Sequence, residues 1–173
     1  MQFRLTTPFR RVLIAPDKFK GTLAAGEAAR AMSAGLKRFC AEEGFRPEIL
    51  VRPLADGGEG SHETLKELEP GLVERRMALT PAVGDARPIP YLARDNDRYL
   101  ETALVIGLEL PGSRDVPVEE RRTNGVGEWI ASMIEEAPNV ERLDLHLFLG
   151  GSATSDGGFG VARALGFRFL VAL

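Results

Sequence analysis

One hexapeptide occurs twice in this chain, each time between an apolar run and a helix-like stretch. Residues 55–60 read Ala-Asp-Gly-Gly-Glu-Gly and residues 155–160 read Ser-Asp-Gly-Gly-Phe-Gly. Those flanks point to two strand-to-helix turns, and hence to an α/β architecture. Glycine has no Cβ, so its N–H can approach a ligand closely and its φ can be positive. A helix starting at such a turn directs unpaired N–H groups outward, which makes an anion site. An aspartate there repels a bare phosphate but suits one carried with Mg²⁺, or a hydroxyl awaiting deprotonation. Two such turns in one short chain suggest phosphoryl chemistry more than packing.

The rest of the pattern alternates in the same way. Arg11 to Ala15 reads as a buried parallel strand closed by Pro16. Ala24 to Glu43 reads as a helix with Ala28, Met32, Leu36, Phe39 and Cys40 on one stripe, stopped by Gly44. Glu48 to Pro53 is a second strand, and the first glycine turn opens a helix to Leu68. From 72 to 110 the texture becomes antiparallel, with strands at Leu72–Leu79, Arg87–Arg94 and Arg98–Val105 and a hairpin turn at 95–97. Alternation resumes with a helix capped by Thr123 or Asn124 and ending near Ala137-Pro138. A strand follows at Leu143–Leu149, with leucine at every second position, and the second turn opens a helix to Leu165. A final apolar strand covers 167–173, and its ending without a polar tail points to a chain cut short or to a last strand that is fully buried.

Composition narrows the function classes. A net charge of −3 with dispersed basic residues leaves no electrostatic footprint for nucleic acid, so an anionic ligand needs local donors. Cys40 is the only cysteine, which rules out an intramolecular disulfide and suits a reducing cytoplasm. No apolar run approaches the ~20 residues of a membrane span. A soluble, cytoplasmic protein that binds neither membrane nor nucleic acid is expected.

Three loops offer chemistry. Residues 15–23 place Asp17, Lys18 and Lys20 at the carboxyl end of the first strand, where open α/β sheets bind ligands. Asp17 can hold Mg²⁺ or accept a hydroxyl; Lys20 can neutralise phosphoryl oxygens, with Lys18 as the bystander. Residues 53–61 bring Asp56 and Glu59 three apart on a starting helix, although both would also serve as ordinary first-turn acids. His62 in that first turn is more often a surface residue than a catalytic one. Residues 150–160 combine glycines with Ser152, Thr154 and Ser155, a neutral phosphate cradle that also makes a good plain loop. Walker A, dinucleotide-binding and protein-kinase signatures are all missing, as is a Cys/His zinc cluster. Trp129 and Cys40 read as packing residues, and His146 belongs on the face opposite the alternating leucines.

Four segments together, Ala-Pro-Asp-Lys-Phe-Lys-Gly-Thr-Leu at 15–23, Pro-Leu-Ala-Asp-Gly-Gly-Glu-Gly at 53–60, Thr-Asn-Gly-Val-Gly-Glu at 123–128 and Gly-Gly-Ser-Ala-Thr-Ser-Asp-Gly-Gly-Phe-Gly at 150–160, resemble the type I glycerate kinase family (bacterial glycerate 2-kinases). The resemblance runs from about residue 11 and implies an ATP- and Mg²⁺-dependent kinase converting D-glycerate to 2-phosphoglycerate. It also implies a Rossmann-like, three-layer domain with a mostly parallel sheet, formed by 10–78 and 113–173. Residues 79–112 would begin an inserted, β-rich or mixed α/β domain. Family members are roughly twice this length, so the match is to an N-terminal half. Where the family carries Glu-Met-Ala-Ala-Ala-Ser-Gly-Leu, residues 101–108 keep Glu101, Gly107 and Leu108 but substitute larger apolar residues between them.

On that resemblance Lys20 stabilises phosphoryl charge, Asp17 and Asp56 take the metal or base roles, and Asp56 and Asp156 are the metal ligands. Gly57, Gly58, Glu59 and Gly60 from the first turn would bind nucleotide or substrate. So would Gly151, Ser152, Ala153, Thr154, Asp156, Gly157 and Gly158 from the last loop. Two other readings stand beside this one. The chain is an incomplete half that homodimerises, pairs with a C-terminal half or survives as a relic; or it is a kinase for another sugar acid.

Overall fold

A computed structural model describes residues 9–137 and 141–170. Strands β1 (Arg11–Ile14) and β2 (Glu48–Val51) pair in parallel across helix α1 (Ala25–Glu43), with Leu13 opposite Leu50. Helix α1 ends where Gly44 turns left-handed at φ 74°. Its buried face is built from small residues, Ala25, Gly26, Ala28, Ala29, Ser33 and Cys40, whereas Met32 stays exposed. The expected burial of β1 holds on one side only: Ile14 is buried but Leu13 is 62% exposed.

The main sheet has the order β3-β4-β5-β6, from Val73–Leu79, Arg87–Arg94, Asp97–Glu101 and Asp144–Phe148. The first three strands form an antiparallel meander, and β6 joins β5 in parallel. The α/β class follows, with parallel pairing at β1–β2 and β5–β6. The hairpin expected at 95–97 is a two-residue turn, closed by the Arg94–Asp97 pair and held by Asp95 at φ 48°.

Helices cover both faces of this sheet. On one side Trp129 and Met133 of α4 (Asn124–Glu136) pack with Ile89, Tyr91, Leu100, Val105 and Val126. Leu143, Leu145 and Leu147 join the edge of that core, as their alternation foretold. On the other side α2 (Ser61–Leu68) lies over β4 and β5; its His62 reaches Glu74, the cross-strand partner of buried Leu92. This gives the three layers expected. Residues 79–112, expected as the start of an insertion, share the sheet with β6 and the core with α4.

Two elements differ from their expected form. The strand expected at 98–105 stops at Glu101, because Thr102 turns the chain by donating its N–H and hydroxyl to the Phe148 carbonyl, at 3.0 and 2.8 Å. Ala103–Ile106 is then a single helical turn, α3. Its β-branched Val105 and Ile106 read as strand, but burying them in the core overrides that preference. Helix α5 (Phe159–Ala164) is packed on α4. After it, residues 167–170 are not strand and expose Phe167, Phe169 and Leu170; the end of that expected strand, like Pro138, lies outside the described residues.

Candidate functional site

The three loops meet where β1, β2 and β6 end at their carboxyl termini. From β1, residues 15–23 wrap back through a tight turn in which Phe19 and Leu23 pair. From β2, residues 52–60 lie against them: Lys18 Nζ stands 3.5 Å from Asp56 Oδ1. From β6, Gly150 packs on Gly58 so closely that a Cβ on Gly150 would fall 2.6 Å from the Gly58 Cα. Only glycine permits that approach.

Each of the two glycine turns begins with its aspartate accepting the N–H two residues on. Asp56 Oδ1 accepts from Gly58 at 2.9 Å, and Asp156 Oδ1 accepts from Gly158 at 3.1 Å. Beyond that point the copies diverge. Asp156 Oδ2 also accepts from the N–H of Gly160 and the N–H of Thr123, each at 3.0 Å, and the Thr123 hydroxyl lies 2.9–3.1 Å from both oxygens. That hydroxyl in turn accepts from Val161 N–H. One carboxylate thus ties the start of α5 to the start of α4.

In the first copy the same task falls to Glu101. Its carboxylate, 2% exposed at the end of β5, accepts from Gly60 N–H at 3.2 Å and His62 N–H at 2.9 Å. Nothing in the local pattern marks Glu101 as a cap, since it lies 39 and 41 residues from the amides it serves. These bonds correct the expectation of outward-pointing free N–H groups: both helix starts are capped internally by carboxylates. The backbone cradle at 150–155 is likewise reduced, because Ala153 N–H donates to Ile106 and Gly151 C=O accepts from Leu108. Ser152 and Ser155 remain exposed and Thr154 half-buried.

The electrostatics separate the carboxylates. The Gly58 N–H, and then the Lys18 ammonium, hold the Asp56 carboxyl below its ordinary range. Burial pushes Asp156 up, but the donors from Thr123, Gly160 and Gly158 outweigh it and leave it lowered. Burial raises Glu101, against the pull of its two amides. Asp56 alone of the three is exposed at its side chain, 67%, and its Oδ2 accepts no hydrogen bond among the described residues.

A cleft of about 660 Å³ opens between the first loop, the start of α1 and the Glu59–Gly60 end of the second loop. Asp17, Lys18, Lys20, Ala55 and Glu59 line it; Asp56 does not, and reaches it only through its contact with Lys18. Asp17 Oδ1 accepts the Lys18 N–H at 2.6 Å. Lys20 is exposed, while Lys18, expected as a bystander, is the lysine that touches an aspartate and is only 21% exposed at its side chain. Gly57 and Gly58 do not line it but pack on Leu149 and Gly150, and Gly157 belongs to that same later loop. Asp156 and Gly160 open instead on a separate groove of about 700 Å³ bordered by Arg122, Arg163 and Phe167. His62, expected at the surface, is 3% exposed with its ring 3.3 Å from Glu74. Its burial follows from the sheet face under α2, which its position in the first helical turn does not disclose. Cys40 is buried, and His146 stacks on Tyr99 on the face away from the core leucines.

Comparison with known proteins gives a consistent match. A family model described as the glycerate kinase family matches residues 12–172. A glycerate kinase of Bacillus subtilis is 35% identical over 166 residues, covering 92% of this chain and 40% of its own length. The Neisseria meningitidis glycerate kinase is 30% identical over 164 residues, with the same 92% and 40%. Escherichia coli glycerate 2-kinase is 31% identical over 165 residues, covering 91% and 40%. A crystal structure of a protein assigned as glycerate kinase 2 from Salmonella typhimurium LT2 superposes with a TM-score of 0.67 at 31% identity, again covering 91% of this chain and 40% of that one. The chain therefore spans about two fifths of the length of these relatives. No helix among the described residues is long and apolar enough to cross a membrane.

Proposed function

The chain belongs to the glycerate kinase family, and from that premise we propose that it serves ATP- and Mg²⁺-dependent phosphorylation of D-glycerate to 2-phosphoglycerate in the cytoplasm. The observation that carries the proposal is the junction of three loops around Lys18 and Asp56, with one Asp56 oxygen unengaged. The residues fit a hard cation: an ionised, exposed carboxylate beside a cleft of mixed charge. Bound there, Mg²⁺ would neutralise charge on the nucleotide phosphates. A carboxyl held low is a poor proton acceptor, so Asp56 suits the cation. Asp17, inside the cleft, suits the acceptor hydroxyl. That hydroxyl oxygen bonds to the γ-phosphorus as the bond to ADP breaks, its proton passing to Asp17. Lys20 and Lys18 offset charge on the phosphoryl oxygens; positioning and electrostatics supply most of the catalysis in such transfers. Ser152 and Thr154 are left to hold substrate oxygens, and Asp156 to hold the helices.

A second reading, an incomplete site needing the remainder of a family-length polypeptide, is favoured by the two-fifths span and by the exposed Leu13. A coupled ADP-release assay with ATP, Mg²⁺ and a panel of sugar acids separates the two. Release that depends on D-glycerate and vanishes in Asp56→Asn is expected. Release only with another acid would reassign the acceptor, and none at all from a folded chain would favour the incomplete site.

A further inference from the structure

We propose that the groove bordered by Arg122, Arg163 and Arg168 is a second anion site, one that takes a small phosphate without its metal. It stands apart from the cleft of the proposed kinase chemistry and does not depend on it. Three guanidinium groups line the groove against a single carboxylate, that of Asp156. Both oxygens of Asp156 already accept hydrogen bonds from Thr123, Gly158 and Gly160, so its charge is committed inside the loop. The arginines are not committed. Arg163 and Arg168 make no ion pair or hydrogen bond among the described residues, and Arg122 uses one nitrogen, Nη1, on the carbonyls of Glu119 and Arg121. Elsewhere in the chain arginines find carboxylates: Arg11 meets Glu48, Arg94 meets Glu69 and Arg114 meets Glu109. Neighbouring Arg121 shows the structural use, with all three guanidinium nitrogens on the carbonyls of Val116 and Ala153.

The fold brings these charges to one groove in a chain whose net charge is −3. Arg122 enters from the loop before α4. Arg163 lies in the last turn of α5, and Gly166, at φ 89°, reverses the chain so that the Phe167 N–H returns to the Ala162 carbonyl at 3.0 Å. That return brings Arg168 to the same groove, and Phe169 stacks on Phe159 with ring centroids 4.3 Å apart. The dipole of α5 accounts for a cation at Arg163; it does not account for Arg122 and Arg168 bordering the same space. Guanidinium groups repel one another, and an anion that bridges them removes that cost; their planar N–H forks match phosphate oxygens. Phenyl rings along one wall exclude water there, which strengthens each charge pair. Asp156 offers no free oxygen to a cation, so the site favours a metal-free dianion over a triphosphate already neutralised by Mg²⁺. The ligand class is orthophosphate or the phosphate of a compact ester.

Titrating the ¹⁵N-labelled chain with sodium phosphate in EDTA, at constant ionic strength, tests this without requiring turnover. Saturable shifts of the amides of 122–124, 159–163 and 166–170 are expected. Arg163→Gln with Arg168→Gln is expected to weaken binding roughly tenfold. Lys37→Gln with Arg38→Gln, the same change of charge at exposed positions of α1, is expected to leave it unaltered. Arg163 and Arg168 are exposed too, so their replacement leaves the fold in place for the comparison. Glycerol 2-phosphate is the second probe: tighter binding than phosphate supports an ester as the ligand, and equal or weaker binding supports orthophosphate. Shifts that never saturate, that chloride reproduces at the same ionic strength, or that survive the double arginine substitution would overturn the proposal. So would shifts confined to 17–20 and 56–60. An inactive chain would bear on the proposed function and leave this readout intact.

Discussion

Asp56 and Asp156 occupy the same place in the same hexapeptide, yet their surroundings assign them opposite work. Asp156 has both oxygens committed to Thr123, Gly158 and Gly160, and its loss would uncap α5 and release the start of α4 together. Asp156→Ala is predicted to cost about 2–4 kcal/mol, the sum of a lost cap and of orphaned amides. Chemical unfolding followed by the fluorescence of Trp129, the only tryptophan and fully buried, measures this directly. Asp56→Asn, at an exposed site, should change stability by less than ~0.5 kcal/mol while abolishing glycerate-dependent ADP release. Equal destabilisation by the two substitutions would contradict the division. The repeated Asp-Gly-Gly motif was legible in the sequence as a pair of strand-to-helix turns. The unequal roles were not, because they depend on Glu101 and Thr123, tens of residues away. Lys18 escaped for a similar reason: its partner comes from the next strand's loop.

At the scale of elements, the loops are held in place by contacts between backbones. Gly150→Ala would push the β6 loop off the Gly58 turn, since the new methyl meets Cα and not a yielding side chain. A loss of about 1–3 kcal/mol is expected from such overpacking, together with a raised KM for substrate; unchanged kinetics would show that the two loops work independently. Helix α2 is pinned to β3 by Glu74, which meets Lys66 at 2.6 Å and His62 at 3.3 Å. The hydrogen bond from Lys66, then that from His62, lowers the Glu74 carboxyl from 4.5 to about 2. The folded state therefore binds fewer protons than the unfolded chain in this window. The stabilisation is complete above about pH 4.5 and is lost as pH falls toward 2. Glu101, raised by burial, has the opposite sign: it favours the fold most when protonated and loses that advantage as pH rises through its ionisation. Glu74→Gln should flatten the acid limb of stability measured by urea midpoints between those pH values; an unchanged limb would remove Glu74 as its source. Most elements were legible from hydrophobic period, hairpin chemistry and Gly44. The 103–106 turn was not, because the Thr102 bonds to Phe148 that end β5 span 46 residues.

For the molecule as a whole, the alternation of strands and helices anticipated an α/β body and the family resemblance a three-layer one, and the main sheet between α2 and α4 has those layers. The smaller sheet is covered by α1 on one side, and Leu13 and its cross-strand partner Leu50 are 62% and 40% exposed. Leu149 is 71% exposed at the end of β6, which the alternation of leucines read as core. Paired exposed leucines of this kind predict binding of an apolar dye such as anilinonaphthalene sulfonate by the folded chain, reduced by Leu13→Ser with Leu50→Ser. Dye binding that survives both substitutions would place the exposed apolar surface elsewhere. Which glycine turn faces the proposed metal-bearing nucleotide can be read amide by amide from paramagnetic broadening. Titrating Mn²⁺ and ATP into the ¹⁵N-labelled chain should broaden the amides of 17–20 and 56–60 while those of 156–160 stay sharp. Broadening centred on 156–160, with the first turn untouched, would contradict the role given to Asp56.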